Sequence, residues 1–469
     1  MKTEDDLKAI LSHLNLPFTI APLQFYDVMQ AYHDGRFALF YDVGGGKTLV
    51  ATLVAMMHGD SAWGVMPHIL IPQWQRWLKR ARVPDDQVYV YYGPKRDIQK
   101  ARAARWVLTS HAIFRKDIKT IMSSVGKVRK TLLLDEAQII KDPSTKIYAA
   151  VRDFVGADGN AVLMTATPTN KPQDTYSYMK IKTPSLYRTM THWESLHVAE
   201  RDFFGQISKY ANMELLRDNF AMRAAKRDKK ELFGMDMVPR IVPVPYELST
   251  KHSALYRKLV DEQLLELPDG EKIDATSAQR LRHAMQQIIW NPEAFSGDPK
   301  MTAAGFDWLD MECGSLPFMN VNESKYVLWT YYRSTTERIF EWMKSKFGNT
   351  GCVAYGGSNS SKAVDSIMFD DKIRWMVANP LSVGAGLELQ HVCDQMGFPE
   401  MPTSPIPVRQ AIGRVDRPGQ DTVPTIRIPQ ALGTIQISMF EDLLRNDETA
   451  VYIERTRSSL RAELLGQRG

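Results

Sequence analysis

The sequence predicts an α/β protein made of two parallel-sheet units with a mainly helical stretch between them. Three observations lead there. Short, wholly apolar runs alternate with longer helical patterns, the alternation occurs both early and late in the chain, and the intervening region, roughly 172–312, is more polar with helical periodicity. Fully apolar strands alternating with helices imply a parallel sheet covered on both faces.

In chain order, Phe37–Tyr41 is the first predicted strand, followed by a glycine cluster and the apolar helix pattern Leu49–Ala55. Trp63–Met66 leads into a helical pattern over Ile71–Leu78, and Trp106–Leu108, Thr131–Leu134 and Ala161–Met164 follow at similar intervals. The late set comprises Tyr326–Thr330, Gly351–Tyr355, Ile373–Val377 and Thr425–Ile428. Between the sets, Met237–Tyr246 is punctuated by proline and reads as an extended connector. From Gln436 the chain is charged with helical periodicity, a tail expected to pack back on the core. The resulting division is 1–171, 172–312, 313–435 and 436–469. A chain of 469 residues exceeds what one hydrophobic core normally serves.

Composition narrows the class. Hydrophobic content of 44% and charged content of 24% are ordinary for a globular protein. With 59 Lys+Arg against 54 Asp+Glu the net charge is +5, which permits a polyanionic partner without demanding one. Cys313, Cys352 and Cys393 are isolated, so neither a metal cluster nor a disulfide framework is expected, and a reducing compartment fits. The acidic start has no apolar signal core, and no apolar run approaches the roughly 18 residues of a membrane span. A cytoplasmic protein without a membrane partner is the expectation.

Chemistry concentrates at strand ends. Tyr41-Asp-Val-Gly-Gly-Gly-Lys-Thr48 lies between a predicted strand and a helix. Gly44, Gly45 and Gly46 would let backbone N–H groups turn inward around phosphate oxygens. Lys47 would reach the β- and γ-phosphates of ATP, and the Thr48 hydroxyl would bind Mg²⁺. Tyr41 stands where the strict pattern asks for glycine. Asp135 and Glu136 end a later apolar run, one carboxylate suited to supporting Mg²⁺ and the other to polarising the attacking water. Thr165, Thr167 and Thr169 end the Ala161–Met164 strand with hydroxyls that either cap it or link the nucleotide site to moving parts. Far downstream, Arg409–Gln420 places Arg414 and Arg417 three apart, which on a helix puts both on one face. Two guanidiniums there would supply charge stabilisation to a triphosphate held by the other unit, on closure.

Together these residues resemble superfamily 2 helicases, and more closely the Snf2 group of DNA translocases in a compact phage or bacterial form. Asp135-Glu-Ala-Gln-Ile-Ile-Lys-Asp-Pro-Ser144 resembles the group's Asp-Glu-Ala-His…Lys-Asn-Pro-Ser segment, with Gln138 in place of His. Pro22-Leu-Gln24 is similar to the adenine-reading glutamine motif. Pro67 with Gln73-Trp74, and Thr109-Ser110, resemble the strand-contacting motifs. Val238-Pro-Arg…Tyr256 is similar to the bridge into the second domain, Leu281-Arg-His…Asn291-Pro to the helical insertion, and Gly433-Thr-Ile-Gln436 to the segment after the arginine motif.

The resemblance implies two RecA-like domains, ATP and Mg²⁺ as cofactors, and duplex or branched DNA as partner. It assigns Lys47, Asp135, Glu136, Arg414 and Arg417 to catalysis and Thr48 and Asp135 to the metal. Gln24, Gly44, Gly45, Gly46, Lys47, Thr48, Gly386 and Gln410 fall to the nucleotide, and Pro67, Gln73, Thr109, Ser110, Val383 and Gly384 to the nucleic acid. The departures are Gln138 and Glu388, the latter standing where the group generally has Asn. Lys226–Lys230 and Lys79–Arg82 are candidate basic segments for a DNA groove. Trp74, Trp77 and Trp106 read more readily as core than as stacking platforms. The expected activity is an ATP-dependent helicase or translocase acting in replication, recombination or repair. Its expected location is a bacterial cytoplasm or phage-infected host cell. An RNA helicase, a duplex translocase without strand separation and a non-hydrolysing DNA-binding scaffold are the alternatives.

Overall fold

The computed structural model describes residues 2–14, 16, 18–59, 61–125, 130–203, 205–235, 237, 239–262, 264–266, 272–274, 278–315, 324–355, 357–380, 383, 389–402, 405–417 and 419–454. Residues 1–236 and 237–448 form two compact units, each around its own parallel sheet.

The first sheet contains β1 (Arg36–Tyr41), β2 (Ala62–Met66), β3 (Val88–Val90), β4 (Trp106–Ser110), β5 (Thr131–Asp135), β6 (Ala161–Met164) and β9 (Ala224–Arg227), in the order β3-β4-β2-β5-β6-β1-β9. Strands β7 (Val198–Arg201) and β8 (Ile207–Tyr210) form a separate antiparallel hairpin. Every pairing in the large sheet is parallel. Strands β1, β2, β4, β5 and β6 are buried along their whole length, as strands covered on both faces must be.

The second sheet contains β10 (Arg240–Tyr246), β13 (Lys325–Trp329), β14 (Gly351–Ala354), β15 (Trp375–Ala378), β16 (Cys393–Gly397) and β17 (Thr425–Ala431), in the order β10-β17-β16-β13-β15-β14. A short hairpin, β11 (Leu264–Glu266) with β12 (Lys272–Asp274), lies between β10 and β13 in the chain. Alternation along the strands feeds two cores. Val327, Trp329, Met376 and Ala378 enter one cluster, while Tyr326, Leu328, Trp375 and Val377 enter the other. Met439, Phe440, Leu443 and Leu444 of the Ile435–Glu454 helix join the first of these, so the first half of that helix packs on the unit.

The structure departs from expectation inside 172–312. β9 belongs to the first sheet, pairing with β1 from Ala38↔Ala224 to Tyr41↔Arg227. The proline-punctuated connector is itself a strand, β10, paired with β17 over seven positions. Pro243 and Pro245 are tolerated because β10 lies at the sheet edge, where a strand can lack N–H donors on its open side. Among the described residues no helix is long and apolar enough to cross a membrane.

Candidate nucleotide-binding site

In a parallel sheet the loops at the carboxyl ends of the strands all open on one edge, and the first unit places its candidate groups there. The loop after β1 turns tightly, with Gly45 N–H donating to Asp42 O at 3.0 Å, before the Lys47–Met57 helix begins. Gly44 and Gly46 have φ of 84° and 83°, the left-handed region where a side chain is strained. A Cβ on Gly46 would meet Gln24 Nε2 at 2.5 Å, and one on Gly45 would meet Tyr41 Cβ at 3.0 Å and Asp42 O at 3.1 Å. Gln24, on the Pro22–Asp34 helix, is buried and spans the contact: Ala21 N–H donates to its Oε1 at 3.1 Å, and its Nε2 donates to Gly45 O at 2.8 Å. Lys47 Nζ donates to the carbonyls of Tyr41 and Asp42 at 2.9 and 3.0 Å.

Behind the loop sits a buried ionic cluster that the sequence does not announce. Asp27 is fully buried and accepts from Tyr41 OH at 2.6 Å and from Arg227 Nη2 and Nε at 2.7 and 3.0 Å. Burial, with Asp27 beside it, raises the Tyr41 phenol well above its ordinary range. Tyr41 thus replaces the strict motif's glycine with a ring whose hydroxyl ties β1 to the neighbouring helix. Arg227 is also removed from the predicted basic strip. Of that 226–230 run, Lys229 is buried and Lys226 lies over the Phe220 ring at 5.0 Å, so the run is not a solvated basic face.

Asp135 and Glu136 end β5. Burial first, then the adjacent Glu136 charge, pushes the Asp135 carboxyl up; the Trp74 hydrogen bond and the Lys47 charge act the other way. Trp74 Nε1 donates to Asp135 Oδ2 at 2.9 Å, and Glu136 N–H donates to Oδ1 at 3.0 Å. His111 Nε2 lies 2.8 Å from the Asp135 carbonyl, and burial holds this imidazole down at about 4. Glu136 sits at φ 52°, ψ 53°, a left-handed conformation that is unusual for a non-glycine residue. Gln138 then connects two segments. Its Nε2 donates to Glu136 Oε2 at 2.7 Å, and its Oε1 accepts from Thr165 Oγ1 at 2.7 Å. Thr165 Oγ1 in turn accepts from Thr167 N–H at 3.0 Å. The departure at Gln138 is therefore a two-ended amide bridge from Glu136 to the Thr165 segment.

The predicted strand-contact residues divide. Pro67 and Gln73 are half-buried at the β2 end and on the Ile71–Arg80 helix. Thr109 is fully buried with its hydroxyl donating to Tyr91 O at 2.8 Å, and Ser110 Oγ accepts from Ile113 N–H at 3.2 Å. Each hydroxyl therefore has a backbone partner within its own fold. Trp74 and Trp106 are core residues, as expected, while Trp77 Nε1 donates to Thr52 Oγ1 at 2.9 Å.

In the second unit, Val383 is packed in the core and does not present its side chain outward. Gly384, Gly386 and Glu388 lie outside the described residues. The Pro405–Ile412 helix carries Gln410 but stops before the arginines. Arg414 N–H donates to Ala411 O and Arg417 N–H to Val415 O, both at 3.0 Å, in tight turns after the helix. The helix ends at Ile412 and the chain goes on in turns, so the two arginines do not lie on one regular helix. Arg417 Nε donates back to Gly413 O at 2.8 Å. Arg409 forms a buried two-bond pair with Asp447 of the last helix, at 2.9 and 2.7 Å.

A nucleoside triphosphate with a divalent cation fits the first unit's residues. Gly44 and Gly46 hold the left-handed backbone that such a loop needs, and Lys47 Nζ is bonded to the Tyr41 and Asp42 carbonyls, which an anionic oxygen would outcompete. Two adjacent carboxylates with a hydroxyl residue at the helix start form the oxygen donor set that a hard cation prefers.

The family model described as the SNF2-related domain matches residues 31–293, more than half of the chain. The chain belongs to the SNF2-related family. It is a Snf2-like member of helicase superfamily 2, a class of ATP-dependent hydrolases. The Bacillus subtilis (strain 168) protein named "Putative ATP-dependent helicase/translocase YwqA" is 26% identical over 234 residues, covering 47% of this chain and 24% of that protein. "Uncharacterized ATP-dependent helicase YqhH" of the same organism is 23% identical over 445 residues, covering 89% of this chain and 76% of that protein. The chain thus spans about a quarter of the first relative and three quarters of the second. Among solved structures, a Sulfolobus solfataricus SWI2/SNF2 ATPase core in complex with dsDNA is similar over 96% of this chain and 97% of that chain, at 18% identity and TM-score 0.41.

Proposed function

We propose that this SNF2-related chain is an ATP-driven motor that moves along duplex or branched DNA. The observation that carries the proposal is a pair of bonded groups at one sheet edge: Gln24 on the glycine loop, and Asp135 and Glu136 bonded on to Gln138 and Thr165. A hydrolytic site needs these groups held in register to within fractions of an ångström.

In this mechanism Lys47 leaves the loop carbonyls to bind phosphate oxygens, and the loop N–H groups hold the remaining charge. Thr48 and Asp135 would hold Mg²⁺, which when bound neutralises phosphate charge. The Glu136 carboxylate orients the attacking water, and Gln138 fixes that carboxylate's rotamer. Arg414 and Arg417 are assigned to charge stabilisation from the second unit, and Gln24, Gln410 and Gly386 to holding the nucleotide. Strand contact is assigned to the Pro67 and Gln73 segment. The proposed setting is replication, recombination or repair in a bacterial or phage-infected cytoplasm.

The test is ATP hydrolysis measured with and without duplex, forked, Holliday-junction and single-stranded DNA, with duplex RNA as competitor. The expectation is DNA-stimulated turnover that Lys47→Ala and Glu136→Gln abolish while the fold persists. Turnover that survives in clean preparations of either variant sinks the site assignment, and stronger stimulation by RNA sinks the DNA substrate.

A further inference from the structure

The Ile71–Arg80 helix meets the nucleotide site at two points and carries a basic edge on its other side. Its buried residues are Ile71, Trp74 and Leu78. Trp74 Nε1 donates to Asp135 Oδ2 at 2.9 Å. One turn on, Trp77 Nε1 donates to Thr52 Oγ1 at 2.9 Å, and the Thr52 hydroxyl donates to Thr48 O at 2.7 Å. The helix therefore grips both the carboxylate proposed for the metal and the first turn of the helix that follows the phosphate loop. Arg76, Lys79 and Arg80 are exposed and lie at i, i+3 and i+4, so they share one edge. The ten-residue helix contains no acid.

An indole N–H can only donate, in one direction fixed by the ring plane. Both donors are carried by one helix, three positions apart. A shift or rotation of the helix that moves one indole moves the other, and with them the Asp135 carboxylate and the Thr48 turn. The exposed edge is a set of point charges and a guanidinium fork suited to nucleic-acid phosphates.

We propose that this helix is a coupling element: duplex phosphates seated on Arg76, Lys79 and Arg80 set its position, and Trp74 and Trp77 carry that setting to Asp135 and Thr48. Trp74 and Trp77 are positioning residues here, acting through groups they hold. The proposal rests on the motor reading above and assigns the physical link by which DNA accelerates turnover.

The test uses the full chain with Trp77→Phe, which keeps a ring and removes the N–H, and Thr52→Val, which removes the acceptor from the other side. Three quantities are read: affinity for a labelled duplex by fluorescence anisotropy, basal ATP turnover, and DNA-stimulated turnover. Both variants should bind duplex and turn over without DNA to within about twofold of wild type, while stimulation falls about fivefold, the loss expected for one neutral hydrogen bond. The double variant should lose no more than either single one, because both cut the same link. Changing Arg76, Lys79 and Arg80 to Gln should instead weaken duplex binding and flatten its salt dependence. In protein labelled with 5-fluorotryptophan, duplex DNA added without nucleotide should shift the fluorine resonances assigned to Trp74 and Trp77. Stimulated wild type alongside an equally stimulated Trp77→Phe and Thr52→Val overturns the coupling alone. Wild type that DNA does not stimulate overturns the motor reading and the coupling with it.

Discussion

Removing the Gln138 bridge should slow turnover without weakening nucleotide binding. The perturbation is Gln138→Leu, which keeps bulk and deletes both bonds, the 2.7 Å donation to Glu136 Oε2 and the 2.7 Å acceptance from Thr165 Oγ1. An amide N–H given to a carboxylate stabilises by about 1.5–3 kcal/mol, and each 1.36 kcal/mol corresponds to roughly tenfold in rate. If that bond holds Glu136 in its working rotamer, kcat falls about tenfold to a hundredfold, with KM for ATP within about twofold of wild type. Thr165→Val removes only the outer, neutral bond, about 1 kcal/mol, and should reduce kcat about fivefold. Thr165 acts on Glu136 through Gln138, so the double variant should match Gln138→Leu rather than the product of the two losses. Steady-state hydrolysis at saturating DNA, with kcat and KM separated, is the assay. Multiplicative losses, or Gln138→Leu within twofold of wild type, would refute the bridge as the element that positions Glu136.

Arg227→Met should destabilise the first unit by about 3–5 kcal/mol, because it leaves the fully buried Asp27 charge with only the Tyr41 hydroxyl as a strong partner; urea unfolding measures this, and a change below about 1 kcal/mol would contradict it. In the second unit, Glu400 is fully buried, accepts from the Tyr331 and Tyr332 N–H groups at 2.7 and 3.0 Å, and is pushed up to about 7 from 4.5, chiefly by burial. A carboxyl whose folded pKa is raised contributes stability that is fully present below 4.5 and is lost as pH rises through about 7. Glu400→Gln should therefore be near neutral at pH 4.5 and stabilising by about 3 kcal/mol at about pH 8, the free-energy equivalent of moving this carboxyl from 4.5 to about 7. Urea midpoints across that range check it, and parallel pH profiles for the two proteins would count against it.

Much of the candidate nucleotide site is legible in the sequence because its chemistry is local. The loop at 44–48 needs glycine, lysine and threonine in consecutive positions, and Asp135-Glu136 needs only to end a buried strand, so chain order alone displays both. The arginine pair was misplaced because helical spacing was extended past Ile412, where the helix ends and the chain goes on in turns. β10 was hidden by its prolines, which an edge strand accepts and a central one does not. Thr109 shows a further limit: residue type suggested a ligand contact, but Tyr91 O was near enough to take its hydroxyl.

By itself the sequence determined the two-sheet α/β class and marked the strand ends that carry the candidate phosphate-binding and carboxylate segments. Each of these depends on patterns of apolar runs or on neighbours within a few positions. Only the tertiary structure decided how those segments are held. Asp27 and Arg227 are 200 positions apart, Trp74 and Asp135 61, and Gln138 and Thr165 27. A hydrogen bond is selected by distance and direction in space, and those are set when strands β1, β5, β6 and β9 stack in register. That is why Gln138, which reads as a departure along the chain, becomes in the fold the link between Glu136 and Thr165.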